Sequence, residues 1–219
     1  MSERVRLTAN DGHEFEAYVA KPKGESIAGL VVVQEIFGIN PHIRSVADGY
    51  AKDGFLAVAP ALFDRYERGV ELGYEGEDMQ KARSFANRLD IEAALRDTNA
   101  ALGYVRGQIG KKCGVIGYCF GGTVAWLAAT RLKVEVAVGY YGGRIAMFAA
   151  EQPKAPVMLH FGEKDQHIPR GEVDTVAAAH PEVQIYWYDA GHGFNRDTSG
   201  EPTKLARQRS IEFLKKHLS

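Results

Sequence analysis

The run Ala28-Gly29-Leu30-Val31-Val32-Val33 has no polar break, and it is the feature that most narrows the folds open to this chain. A strand with one wet face alternates apolar and polar residues. An unbroken run reads as a strand buried on both faces, as in parallel sheets covered by helices. Phe55-Leu56-Ala57-Val58-Ala59-Pro60 supplies the next strand and Cys113-Gly114-Val115-Ile116 another apolar run. Pro156–Phe161 and Val183–Tyr188 read as later strands, and His13–Ala20 alternates as an early edge strand.

Helix signals fall between these runs. Asn40 caps a helix with Pro41 at its first position and Gly54 at its close; Asp90 caps one running to about Val105; Glu201–Leu218 reads as a final amphipathic helix. The polar, acidic segment from Arg65 to Asp78 has no clear period and reads as a surface excursion over the sheet edge. This alternation predicts an α/β fold with a mostly parallel central sheet and helices on both faces. Its 219 residues suit one domain spanning 1–219, burying about 70% of its unfolded surface. No repeat, low-complexity tract or linker interrupts it.

Charge removes several function classes. The 27 basic and 28 acidic residues are scattered and sum to −1, with no basic stripe to neutralise phosphates, so a nucleic-acid partner is not expected. Nothing approaches the roughly 20 apolar residues of a membrane helix, and Met1–Arg6 lacks the apolar stretch of a secretory signal. The expectation is a cytoplasmic protein, monomeric or homodimeric, that binds no membrane. Cys113 and Cys119 fit neither a redox nor a metal-ligand spacing, so neither a disulfide nor a structural zinc is expected. Cys113, Trp126 and Trp187 read as packing residues.

Gly117-Tyr118-Cys119-Phe120-Gly121 follows the third apolar run and precedes the helix-like Thr123–Ala129. It reads as a nucleophile elbow, a sharp strand-to-helix turn that lifts its central side chain clear of the sheet, with cysteine where serine is usual. A thiol nucleophile needs a base and a group to orient that base. Asp165, in a polar loop after a strand, and His192, glycine-flanked in Gly191-His192-Gly193, follow in the chain order that the α/β-hydrolase architecture requires. Glu163 competes with Asp165 within one loop. The oxyanion donors predicted for this architecture are the N–H of Phe120 and that of Ile36, in the loop after the first buried strand. Glu35, at the end of that strand, is costly to bury alone and is expected to meet the thiol, an arginine, or both.

Gly117-Tyr118-Cys119-Phe120-Gly121-Gly122, Gln34-Glu35-Ile36-Phe37-Gly38, Val138-Gly139-Tyr140-Tyr141-Gly142 and Gly191-His192-Gly193-Phe194-Asn195-Arg196 together resemble the dienelactone hydrolase family over nearly the whole chain. The resemblance implies an α/β-hydrolase fold and hydrolysis of an enol-lactone such as dienelactone to maleylacetate, in degradation of chlorinated aromatics, with neither metal nor organic cofactor. It selects Asp165 as the triad acid. It also implies that Glu35 takes the thiol proton when substrate arrives, that Arg196 holds the substrate carboxylate, and that Tyr141 lines the pocket. In one place the chain departs from the family: the position of a second carboxylate-binding arginine is Met79. Either Arg83 supplies that charge from one turn further along, or the pocket takes a different ester. A thioesterase or generic acyl-esterase on the same triad, and a non-catalytic binding module on this scaffold, are the alternatives.

Overall fold

The computed structural model describes residues 2–218. Two compact units divide the chain one residue into its fifth strand, the first ending at Cys113 and the second beginning at Gly114.

The first unit carries β1 (Ser2–Thr8), β2 (Glu14–Ala20), β3 (Ala28–Val33), α1 (Pro41–Lys52), β4 (Phe55–Pro60), α2 (Gly76–Ala86) and α3 (Ile91–Ile109). Its strands run in the order β1-β2-β4-β3, with β3 and β4 parallel and every residue of both buried. Asn40 accepts the Ile43 N–H at the start of α1, and Asp90 accepts those of Glu92 and Ala93 at the start of α3, as their sequence contexts predict.

Two expectations need correction. The strand ending at Ala20 is not an edge: β1 pairs with it antiparallel from Ser2 to Thr8. β1 is itself the outer strand of this unit and only Leu7 on it is buried, so its alternation is confined to Val5 and Leu7 between arginines and is too short to read as a strand. The segment from Arg65 to Asp78 is also more than a surface excursion. Its Val70 and Leu72 are buried with Phe37, Phe63, Ala82 and Phe85, and Ile36, Tyr66, Tyr74, Met79 and Leu89 pack against that cluster. Leu72 donates its N–H to the Phe37 carbonyl at 2.9 Å, which pins the segment to the chain that leaves β3. Two anchors between glycines and glutamates are too few to form a period.

The second unit holds β5 (Cys113–Tyr118), α4 (Phe120–Arg131), β6 (Val136–Tyr140), β7 (Val157–Gly162), α5 (Arg170–Ala179), β8 (Gln184–Tyr188) and α6 (Glu201–Leu218). Strands β5-β6-β7-β8 lie side by side and all parallel. Their carboxyl ends therefore share one edge, the place where parallel sheets build their sites. Helix α4 is buried from Gly121 to Thr130, Trp126 included, and Cys113 is fully buried. No helix among the described residues is long and apolar enough to cross a membrane.

Candidate active site

Four loops leave that shared edge of the second unit, and each carries a residue singled out in the sequence. Cys119 follows β5, Tyr141 follows β6, Asp165 follows β7 and His192 follows β8.

Cys119 sits between β5 and α4 with φ 54° and ψ −117°, a region that side-chain-bearing residues rarely occupy. Such strain persists only where its surroundings over-determine it. Here the Cys119 N–H donates to the Tyr140 carbonyl at 3.0 Å, and the Cys119 carbonyl accepts from Gly122 at 2.9 Å. A Cβ on Gly117 would overlap the Gly121 carbonyl, so the turn closes only with glycine there. The result leaves the sulfur half-exposed at the N-terminus of a twelve-residue helix, whose dipole favours negative charge.

The sulfur lies 3.2 Å from His192 Nε2, and His192 Nδ1 lies 2.7 Å from Asp165 Oδ2. The Asp165 side chain is 1% exposed and its other oxygen accepts the His167 N–H at 2.8 Å. That arrangement fixes the carboxylate with one oxygen aimed at the imidazole. Burial by itself opposes a charge on His192, but the hydrogen bonds to Asp165 and Cys119 outweigh it and push the imidazole up to about 10. Burial likewise opposes the Asp165 carboxylate, and the bonds from His192 and from the His167 backbone reverse it, holding the carboxyl below its ordinary range.

The His192 loop is held from both sides. Lys164 donates its N–H to the Ala190 carbonyl at 2.9 Å, and Gly162 passes so close to that carbonyl that a Cβ would collide with it. Arg196 folds back over the loop, its Nε donating to the Gly193 carbonyl at 3.0 Å and its Nη2 to that of His192 at 3.3 Å. The Tyr141 ring stands 5.0 Å from the imidazole, and the His167 ring meets it edge-on at 5.3 Å. His167 was not singled out in the sequence; its place two residues after Asp165 is the signal that marks it.

Glu35 and Ile36 belong to the first unit. Glu35 is 1% exposed and accepts the Tyr74 hydroxyl at 3.0 Å; Ile36 packs against the aromatic cluster. Met79 packs on the same cluster, whereas Arg83 is an exposed residue of α2. Phe120, the first residue of α4, directs its N–H toward the helix start, where no carbonyl of the helix can meet it. Glu163, the rival to Asp165, is exposed. Among the described residues no group of three or more His, Cys, Asp and Glu side chains could hold a metal ion.

The dienelactone hydrolase family profile matches residues 15–218. The carboxymethylenebutenolidase of Pseudomonas putida is 33% identical over 227 residues, covering 98% of this chain and 96% of its own. Carboxymethylenebutenolidase 1 of Cupriavidus pinatubonensis is 31% identical, covering 98% and 97%. A dienelactone hydrolase candidate from Klebsiella pneumoniae superposes with a TM-score of 0.83 at 26% identity, over 97% of this chain and 98% of that one. The α/β-hydrolase fold expected from the sequence is therefore the fold observed.

Proposed function

Because the chain belongs to the dienelactone hydrolase family, we propose that it is a carboxylic-ester hydrolase with Cys119 as nucleophile, opening a small enol-lactone through an acyl-thioenzyme. The observation that carries this reading is the unbroken chain from Sγ to Nε2 and from Nδ1 to Oδ2, set on a strained elbow.

In the first step the sulfur adds to the lactone carbonyl, forming a C–S bond and an oxyanion. The Phe120 N–H, with that of Ile36 as second donor, stabilises the developing charge. Glu35 takes the thiol proton, the role that the family resemblance implies. Collapse breaks the ring C–O bond, and His192, held protonated by Asp165, gives its proton to the departing enolate oxygen; the enol so released tautomerises to the ketone. Water then attacks the thioester, surrendering a proton to the now neutral imidazole; C–S cleavage releases the carboxylic acid and the thiolate, to which Glu35 returns its proton. Arg196, whose guanidinium lies over the His192 loop, holds a substrate carboxylate, and Tyr141 walls the pocket beside the imidazole.

Cys119→Ala tests the reading directly. Dienelactone hydrolysis should fall on the order of 10³-fold or more with an unchanged circular dichroism spectrum, and the acyl adduct seen by rapid-quench mass spectrometry of the parent enzyme should vanish. An unaltered rate overturns it.

One observation favours a second reading, in which the ester carries fewer charges than dienelactone. Met79 packs on the aromatic cluster and Arg83 is exposed, so neither residue of α2 supplies a buried cation. Arg196→Met separates the two. Loss of a charge-assisted hydrogen bond should raise KM about tenfold or more for an anionic lactone and leave a neutral aryl ester nearly unchanged. Equal effects on both substrates would remove the carboxylate clamp and leave a generic acyl-esterase or thioesterase.

A further inference from the structure

Tyr74 lies just before α2 and Asn40 caps α1, and hydrogen bonds join both to Glu35. Asn40 is 1% exposed, and its Oδ1 accepts the Ile43 N–H at 3.1 Å to start α1. That bond fixes which way the amide faces, because only the oxygen can accept from a backbone donor. Its Nδ2 must then supply the other contacts, donating to the Leu72 carbonyl at 3.0 Å and to the Tyr74 hydroxyl at 3.1 Å. A hydroxyl oxygen that accepts from an amide has its own proton to give, and Glu35 Oε2 lies 3.0 Å away. The donor sequence thus runs from the helix cap through the tyrosine to the buried carboxylate, each link polarising the next. The Tyr74 ring is held edge-on to Phe37 at 4.6 Å, so its hydroxyl is aimed by packing as well.

We propose that Tyr74, oriented by Asn40, is a positioning residue that holds Glu35 Oε2 and so decides which carboxylate oxygen is presented for proton transfer. The proposal rests on Glu35 acting as the acceptor of the thiol proton. Removing one of the contacts that orient a carboxylate weakens the near-attack geometry that makes a proton acceptor effective.

Tyr74→Phe removes the hydroxyl and keeps the ring on Phe37. It should lower kcat about tenfold with KM changed less than twofold, and Asn40→Ser, which keeps a capping oxygen but loses both amide donors, should lower kcat in the same sense. The decisive readout is the pairing with Glu35→Gln. If the hydroxyl acts through the carboxylate, Tyr74→Phe should cost nothing further in a Glu35→Gln background; a purely structural role would give additive losses and a matching drop in Tm. Full activity in Glu35→Gln alone overturns the underlying reading of Glu35. A Glu35→Gln enzyme that is impaired, beside a Tyr74→Phe enzyme with an unchanged kcat, overturns this proposal and leaves that reading standing.

Discussion

A single methyl group at Gly117 separates a usable nucleophile from a buried one. The added Cβ of Gly117→Ala would meet the Gly121 carbonyl, a backbone atom that cannot swing aside, so the elbow itself must open. The expected cost is about 1–3 kcal/mol in denaturant titration, the range for overpacking a tight interior, with esterase activity reduced far more than stability because Cys119 loses its φ of 54°. A Gly117→Ala enzyme with wild-type turnover would show that the turn tolerates a side chain. The same crowding made the site legible: glycines flanking Cys119 and His192 mark backbone forced into tight loops, and chain order supplied Asp165. Tyr74 was not legible, because its hydroxyl meets partners 34 and 39 positions away and only tertiary packing unites them. Asn40 was legible for its cap and not for its second donor, since one side chain serves two purposes and the sequence advertises the local one.

At the scale of elements, legibility followed the strength of local signals. α3 begins where Asp90 says it should, because the carboxylate accepts two backbone donors within three residues. α2 has no such mark: Glu75 precedes it without a capping hydrogen bond and Gly76 enters at φ 57°, so a reader of the sequence meets only acidic residues and a glycine. What holds α2 is burial, with Phe85 4% exposed and stacked 4.8 Å from Phe63. These two sources of helix stability should separate on mutation. Asp90→Ala should cost about 1 kcal/mol, the usual worth of an N-cap. Phe85→Ala should cost about 3–5 kcal/mol, because it empties a packed aromatic site. Urea titrations that rank the two in the opposite order would mean that α2 is tethered by something other than the cluster. β1 is faint for the converse reason: an outer strand with one buried residue obtains its pairing mainly from backbone hydrogen bonds, and Val5 and Leu7 alone give too short an alternation to mark it.

Over the whole molecule, two histidines with opposite shifts contribute opposing pH dependences to the stability of the fold. His160, fully buried on β7, sits in a run of hydrogen bonds: Arg209 donates to the Tyr188 hydroxyl, Tyr188 to His160 Nδ1, His160 Nε2 and the Tyr140 hydroxyl to Ser210, and Ser210 to the Ala206 carbonyl. Burial, then the nearby Arg209 charge, depresses this imidazole to about 3, and a second ring proton would also face a Tyr188 hydroxyl already turned toward it. Between about 3 and the ordinary 6.5, the unfolded chain binds a proton here that the native protein refuses, so stability rises with pH. His192 works the other way. Between 6.5 and about 10 the native protein keeps a proton that the unfolded chain has released, so stability falls as pH rises. The two limbs meet near the ordinary histidine value, so the combined contribution of this pair to stability is greatest at about pH 6.5. His160→Gln should flatten the limb between pH 4 and 6.5, and His192→Ala should flatten the decline toward pH 10, each read as the difference from wild type so that groups distant from the mutated ring, such as Asp97 with its carboxyl raised by burial, cancel. A difference between wild type and His192→Ala that shows no slope between pH 6.5 and 10 would contradict the proton held on His192, and with it the acid that the proposed reaction needs for its leaving group.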